Sequence, residues 1–384
     1  MTYSIPYIIL LTLFGLCAFL YEKTENEEKR QHITLFSITL FFLFFAFRGY
    51  IYSDWVIYSE SFKYVEWEDI FSITNTKTKA VIHEPGFTAL MWLCSLVTRE
   101  YAFLVIIITT IDTFLFVRFL RRWNVKNIAF AFMLFITFGG IGLMFNALRN
   151  QLAIFIFLNA LEYIYEKKAL RYFSLCFLAL CFHASSIIFF PLYFFLGRKI
   201  NKWVFLSLII GFFLFYISQI SILQIIISAT GMGGALGEKA TLYTETYATA
   251  RALSPTGTLE KMGLTLLVFL YYGKMTEDKT TILLINSLIL YYFFYYVFGE
   301  FRELSSRLSL IFGYSYWVLW IRLMRVFSIQ NNRRLYGGIF FLYCLYVTSL
   351  AYKLPIQEYD NLLLGGKSQT ERMKIFYKTY EDDN

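Results

Sequence analysis

Residues 41–62 read FFLFFAFRGYIYSDWVIYSESF. Seven apolar side chains are followed at once by Arg48, and Asp54 and Glu60 then stand among tyrosines. A continuous apolar run is typical of a helix that crosses hydrocarbon, whereas a lipid-facing β-barrel strand alternates apolar and polar residues. Charges at the end of such a run are either interfacial anchors or part of a site.

The rest of the chain repeats this pattern. It has 384 residues, of which 58% are hydrophobic and 16% charged, and its mean hydropathy is +0.54. One soluble core cannot hide that much apolar surface. We therefore predict an all-α, polytopic membrane bundle of about 11–13 membrane segments. The candidate spans are Tyr3–Tyr21, Ile33–Phe47, Tyr101–Phe119, Ile128–Phe145, Leu152–Tyr165, Tyr172–Phe195 (divided at His183), Val204–Ser228, Leu259–Tyr272, Thr281–Phe298, Leu308–Leu323 and Leu335–Tyr352.

The spans predict one transmembrane domain over residues 1–352 and a polar C-terminal tail over 353–384. Residues 48–85 and 229–258 form extracytoplasmic loops, and the second is rich in Gly, Thr and Ala, as lids often are. The apolar stretch within residues 86–98 is too short to cross, so we expect a re-entrant or interfacial segment.

Basic residues indicate the orientation. The formal net charge is +8, but the basic residues are spread over short loops between spans, which favours membrane orientation over nucleic-acid binding. Cytoplasmic loops retain Lys and Arg, which predicts an extracytoplasmic N-terminus. The basic residues that indicate this orientation lie in or next to three short loops: Lys23, Lys29 and Arg30; Arg118, Arg121, Arg122 and Lys126; and Lys167, Lys168 and Arg171.

Two motifs place charge beside apolar helices on the predicted outer face. In HEPGF, residues 83–87, Pro85 starts a helix and keeps Glu84 out of it, with His83 alongside. The alternative for Glu84 is electrostatic capping of that helix. Arg149 lies about one turn inside an otherwise apolar helix, next to Gln151, and a guanidinium there requires an anionic partner.

Four more charged residues and one histidine fall on the same face. Arg48 and Asp54 follow the second span, with an interfacial anchor and a solvated acid as the alternative. His183 interrupts the most apolar stretch, where a structural histidine is the alternative. Arg302 and Arg307 begin a late helix, and local ion pairs with nearby glutamates are their alternative.

Together these arginines, histidines and carboxylates fit a lipid-linked phosphate substrate, because arginine forks match phosphate oxygens. The motifs GxxxxGK[ST], GxGxxG, HExxH, CxxC and DxD do not occur. We therefore predict no nucleotide cofactor and no metal. The alternative is a divalent-metal sugar-nucleotide site at the acidic cluster EWED, residues 66–69.

Five segments, in this order, resemble the EpsG-like family of Wzy-type polysaccharide polymerases. They are FRGYIYSDWVIYSESF (47–62), HEPGFTALMWL (83–93), ALRNQLAIFIFLNALEYI (147–164), LALCFHASSIIFFPLYFF (178–195) and RELSSRLSLIFGY (302–314). Ser53 and Trp55 flank Asp54, where the family often has Gly-Thr before Asp-Tyr. Asn150-Gln151 follows Arg149, where Arg-Gln is commoner.

The resemblance implies a GT-C-like glycosyltransferase that needs no ATP. It would move a growing glycan from undecaprenyl pyrophosphate to an undecaprenyl-linked repeat unit, making O-antigen, capsular polysaccharide or exopolysaccharide. The implied location is the bacterial cytoplasmic (inner) membrane, with the active site on its periplasmic or extracellular side. A chain-length regulator and a flippase of the same pathway are candidate partners.

The resemblance also gives roles to the candidate residues. Glu84, or failing that His183 or Asp54, would accept the acceptor proton in an inverting displacement. Tyr58 would stack on a sugar ring. The pyrophosphate and substrate would be bound by Arg48, Arg149, Arg302, Arg307, His83 and Gln151.

Two other functions also place charge in helices. A lipid-linked oligosaccharide flippase would have a polar path through the whole bundle and related halves, whereas no internal repeat is visible here. A membrane O-acetyltransferase would use histidine and arginine, but its pattern is not found near the first span.

Overall fold

The computed structural model describes residues 2–72, 83–222, 225, 254–327 and 329–381. Within these ranges the chain is helical, and its only β pairing is an isolated antiparallel bridge between Arg48 and Asn361. Five described helices are long and apolar enough to cross a membrane: Ile5–Lys23, Tyr101–Arg122, Ile128–Asn146, Lys279–Val297 and Asn331–Ala351. The predicted all-α, polytopic membrane bundle is confirmed.

The chain forms two compact units, Met1–Phe194 with Arg334–Asn384 (unit 1) and Phe195–Arg333 (unit 2). The helices of unit 1 are α1 (Ile5–Lys23), α2 (Glu27–Ala46), α3 (Trp55–Tyr64), α4 (Pro85–Ser95), α5 (Tyr101–Arg122), α6 (Ile128–Phe135), α7 (Ile141–Asn146), α8 (Leu148–Leu158), α9 (Glu162–Tyr165), α10 (Ala169–Phe182) and α11 (Phe189–Phe195), followed late in the chain by Gln330–Ala351 and Gln369–Glu381.

Several predicted spans are interrupted in the structure. The span expected over residues 172–195, with a division at His183, is divided there: its first helix ends at Phe182, because His183 is extended (φ −155°, ψ 127°). The one expected over 152–165 is divided between α8 and α9. The helix α4 has 11 residues, about 16 Å, which is shorter than the hydrocarbon core. The number of membrane segments and the re-entrant placement of α4 stay predictions.

The predicted span 128–145 is one helix with a kink. A π-helical turn, Ile136–Gly140, joins α6 to α7, and Phe138 has non-helical φ and ψ. Gly139 adopts φ 96°, which only glycine reaches without strain. The glycine therefore allows the span to bend while both halves stay buried.

Unit 1 has a basic end and an opposite end. At the basic end, Arg30 and Arg121 line one depression, and Glu162 lies 3.8 Å from Arg118 and 3.0 Å from Arg122. At the opposite end of α5, Tyr101 packs in one apolar cluster with Tyr58. The basic loops after α1, α5 and α9 thus lie at the end of unit 1 away from Tyr58.

The predicted polar tail folds back onto unit 1. Its backbone pairs with the segment after α2 through three hydrogen bonds of 2.8–2.9 Å: Leu362 N to Phe47 O, Gly49 N to Asp360 O and Tyr52 N to Ile356 O. Arg372 is 3% exposed, and its Nε donates to Asp360 Oδ2 at 3.1 Å. Residues 354–372 are therefore part of the folded unit.

Unit 2 contains the helices Lys202–Ile217, Pro255–Leu270, Tyr272–Met275, Lys279–Val297, Arg302–Ile311 and Gly313–Met324. The predicted span over 308–323 is broken near Phe312, which ends the first of its two helices. Residues 73–82 and 229–253 of the two predicted loops lie outside the described residues.

We predict that Gly139→Ala lowers the thermal stability of the purified protein. A side chain at φ 96° costs roughly 1–2 kcal/mol. The matched control is Gly142→Ala in α7, where an added Cβ meets nothing within 4 Å. Melting curves of both variants in the same detergent measure the difference, and equal melting temperatures would contradict the assigned strain.

Candidate functional site

Three helix ends of unit 1 bring charged side chains together. Glu84 precedes α4, where Pro85 occupies the first helical position. The extended conformation of Glu84 (φ −59°, ψ 149°) keeps its side chain outside the helix, while its carbonyl accepts from Thr88 N at 3.0 Å. The sequence Glu-Pro therefore sets a carboxylate at the start of a buried helix.

Arg149 pairs with this carboxylate. A break at Ala147 (φ −148°, ψ 46°) separates α7 from α8 and places Arg149 in the first turn of α8. Its Nη1 donates to Glu84 Oε2 in a short, charge-assisted contact. Its Nε is 3.4 Å from the Tyr58 hydroxyl, and its Cζ lies 5.8 Å from the Tyr58 ring centroid.

His183 and the backbone after it hold the other carboxylate oxygen. His183 Nδ1 lies 3.2 Å from Glu84 Oε1, and Ala184 N donates to the same oxygen at 2.9 Å. Gly86 permits this approach, because a Cβ there would lie 2.7 Å from the carbonyl oxygen of Cys181. One carboxylate oxygen of Glu84 thus contacts Arg149, and the other contacts His183 and Ala184 at the end of α10.

The cluster is partly accessible. The side chains of Arg149 and His183 are each 26% exposed, and that of Glu84 is 17% exposed. A half-buried guanidinium keeps donors available for a ligand while a carboxylate neutralises it. This combination can bind an anion by exchange with Glu84.

The charge state of Glu84 follows from its contacts. Burial alone raises the pKa of the carboxyl, but contacts with His183, the backbone N–H of Ala184 and Arg149 outweigh it and lower the pKa to about 2. Glu84 is therefore a carboxylate at neutral pH.

His83 is neutral at this site. Burial and then the positive charge of Arg149 lower the pKa of His83 to about 4. Its ring lies 5.3 Å from that of Tyr58 and 5.6 Å from that of Phe87. Its Nε2 is buried with no hydrogen-bond partner among the described residues.

Asp54 stands one turn before Tyr58 on α3. Tyr58 N donates to Asp54 O at 3.1 Å. Asn146 Oδ1 accepts from the backbone N–H of Asp54 at 2.9 Å and from that of Ser53 at 3.1 Å. The Asn146 amide therefore connects the start of α3 to the end of α7. Arg149 follows in α8, after the break at Ala147.

Arg48 and Gln151 have other contacts. Arg48 is 5% exposed, and its Nη1 donates to Phe45 O at 2.6 Å and to Thr109 Oγ1 at 3.3 Å. Gln151 Nε2 donates to Asp112 Oδ2. The substrate-binding roles predicted for Arg48 and Gln151 stay predictions.

Asp112 was missed by the sequence analysis. It is fully buried within α5, and a single acid in the middle of a 22-residue apolar helix was the signal for it.

Arg302 and Arg307 belong to unit 2. Arg302 begins the helix Arg302–Ile311, but its side chain lies outside the described residues, and Arg307 is exposed. Their predicted roles stay predictions. The sequence analysis also missed Lys261, which is 9% exposed, with its Nζ 4.6 Å from the ring centroid of Tyr295.

Comparison with known proteins identifies the chain by its family. No curated protein and no solved structure matches it. The model of the EpsG family, which comprises Wzy-like polysaccharide polymerases, matches residues 32–362. That range contains Glu84, Arg149 and His183 and covers most of the sequence. The chain therefore belongs to the EpsG family.

Proposed function

We propose that this protein polymerises lipid-linked oligosaccharide repeat units at the Glu84–Arg149–His183 cluster. The donor is a glycan on a polyprenyl pyrophosphate such as undecaprenyl pyrophosphate, and the acceptor is a second lipid-linked unit. EpsG family membership supports a membrane polysaccharide polymerase-type glycosyltransferase. The observation that carries the finer proposal is a partly exposed guanidinium held by an exchangeable carboxylate.

Arg149 is the proposed ligand of the donor pyrophosphate. Its fork matches two phosphate oxygens, and it stabilises the charge that grows on the leaving group as the anomeric C–O bond breaks. The new bond joins the anomeric carbon to the acceptor oxygen, and the acceptor proton passes to a base. The pyrophosphate leaves as an anion paired with arginine.

Glu84 has two successive roles in this proposal. In the free enzyme its pKa of about 2 makes it a weak base, so it positions Arg149 and His183. When the pyrophosphate takes the guanidinium, Glu84 loses a positive neighbour and gains a negative one. Both changes raise its pKa and make it a better proton acceptor.

The charge distribution supports an extracytoplasmic site. Basic loops mark the cytoplasmic end of a membrane protein, and in unit 1 they lie away from Tyr58, which contacts Arg149. This distribution supports our proposal that the site faces the periplasmic or extracellular side of the bacterial cytoplasmic membrane.

The decisive test is conversion of a defined lipid-pyrophosphate repeat unit into a ladder of longer glycans by the purified protein alone. A flippase would translocate this unit without extending it, and an O-acetyltransferase would change its mass by acetyl groups only. Either result would exclude the proposed polymerase.

We predict that Arg149→Ala lowers ladder formation by about 10²–10³-fold, because a preorganised charge at the leaving group is lost. Arg149→Lys keeps the charge but not the fork and should recover part of the activity. The control is Arg99→Ala, which removes an arginine paired with Glu66 at 3.6 Å. Equal activity in Arg149→Ala and Arg99→Ala would remove Arg149 from the mechanism.

We predict that Glu84→Gln lowers kcat/KM about 100-fold. This factor should be the same at every pH from about 5 to 8. The free-enzyme carboxyl has a pKa of about 2, so it stays ionised throughout this range. The ratio of wild-type to variant kcat/KM at each pH is the measurement. A ratio that falls with decreasing pH would show that Glu84 titrates near neutrality.

A further inference from the structure

A surface groove of about 730 Å³ lies along unit 1 and is lined by residues of α2 and α5. Phe42, Phe114 and Val117 contribute to its apolar walls. Its charged lining is basic throughout, and consists of Arg118, Arg121 and Arg122 at the end of α5. The groove therefore joins a hydrocarbon-like channel to a cationic end.

The cationic end is only partly neutralised. The buried carboxylate of Glu162 lies 3.0 Å from Arg122 and 3.8 Å from Arg118. Arg121 is exposed, and in the described part of the chain no carboxylate pairs with it. Among the described residues, Glu162 is the one acid that forms ion pairs with any of these three arginines. Positive charge therefore remains beside an apolar channel, where an anion gains most from binding.

One residue of the groove wall has a buried hydroxyl with no partner among the described residues. Thr113 lines the groove and is 7% exposed, and its Oγ1 makes no hydrogen bond among the described residues. It stands five residues before Arg118, about 7.5 Å along the helix axis. A ligand that spans this distance would need an anion at one end and an acceptor further along.

We propose that this groove binds one anionic phospholipid of the bilayer. In this proposal the lipid phosphodiester contacts Arg118, Arg121 and Arg122. The hydroxyl of Thr113 donates to an ester carbonyl oxygen of the lipid, and an acyl chain lies along Phe114 and Phe42. Anionic headgroups concentrate in the leaflet that basic loops face. The lipid would hold the basic ends of α2 and α5 together.

The position distinguishes this lipid from the glycan-carrying substrate. The helix α5 has 22 residues, about 33 Å. Arg121 lies at its C-terminal end, whereas Tyr58, the contact of Arg149, packs in the cluster with Tyr101 at its N-terminal end. A substrate phosphate at Arg149 therefore cannot reach Arg121, and the inference does not depend on the proposed activity.

The test is quenching by brominated lipids. Phe114→Trp places an indole at a position that is 66% exposed, and its emission is measured relative to the parent with its seven tryptophans. Dibromo-phosphatidylglycerol should quench this added emission at lower mole fraction than dibromo-phosphatidylcholine, by about fivefold for each uncompensated arginine. Adding Arg121→Gln should reduce the preference about fivefold.

Lys126→Gln is the matched control, because Lys126 is an exposed cation of the same loop and does not line the groove. It should leave the preference unchanged. Equal quenching by both lipids would overturn the proposal, as would equal effects of Arg121→Gln and Lys126→Gln. Displacement of the brominated lipid by a polyprenyl phosphate at lower mole fraction than by phosphatidylglycerol would assign the groove to the carrier lipid instead.

Discussion

The contact between Glu84 and Arg149 is the constraint on which the site depends. A guanidinium and a carboxylate that are both largely withdrawn from solvent each need the other, because either alone would carry an uncompensated charge. The two residues are 65 positions apart, so the pair fixes the start of α4 against the start of α8. The second oxygen of Glu84 extends this link to Ala184. One carboxylate thereby holds three helix ends together.

The two ends of unit 1 differ in how their arginines are neutralised. At one end, Arg149 is neutralised by an acid that a phosphate can replace, which suits transient binding of a reacting group. At the other, the carboxylate of Glu162 is shared by Arg118 and Arg122, which leaves a lasting positive surface suited to bilayer lipid. In the proposed function, arginine binds the substrate at one end and marks the cytoplasmic side at the other, and the difference lies in the acids nearby.

The fold class and the need of Arg149 for an anionic partner were predictable from sequence. Continuous apolar runs predict helical spans, and a charge inside such a span is so costly that it requires a partner. What sequence could not give was long-range pairing. Arg48 looked like the same kind of residue as Arg149, yet it contacts Thr109. The helix break at Ala147 contains no Pro or Gly, whereas the break at Phe312 is followed directly by Gly313.

The order of the chain has a consequence for synthesis. Unit 1 is discontinuous, because unit 2 is inserted between its two parts. The Tyr7 hydroxyl donates to Gln357 O at 2.7 Å across 350 positions, and the Tyr359 ring stacks on Phe44 at 4.0 Å. During synthesis, the surfaces of α1 and α2 that pack on Gln357 and Tyr359 therefore stay uncovered until those two residues have been made.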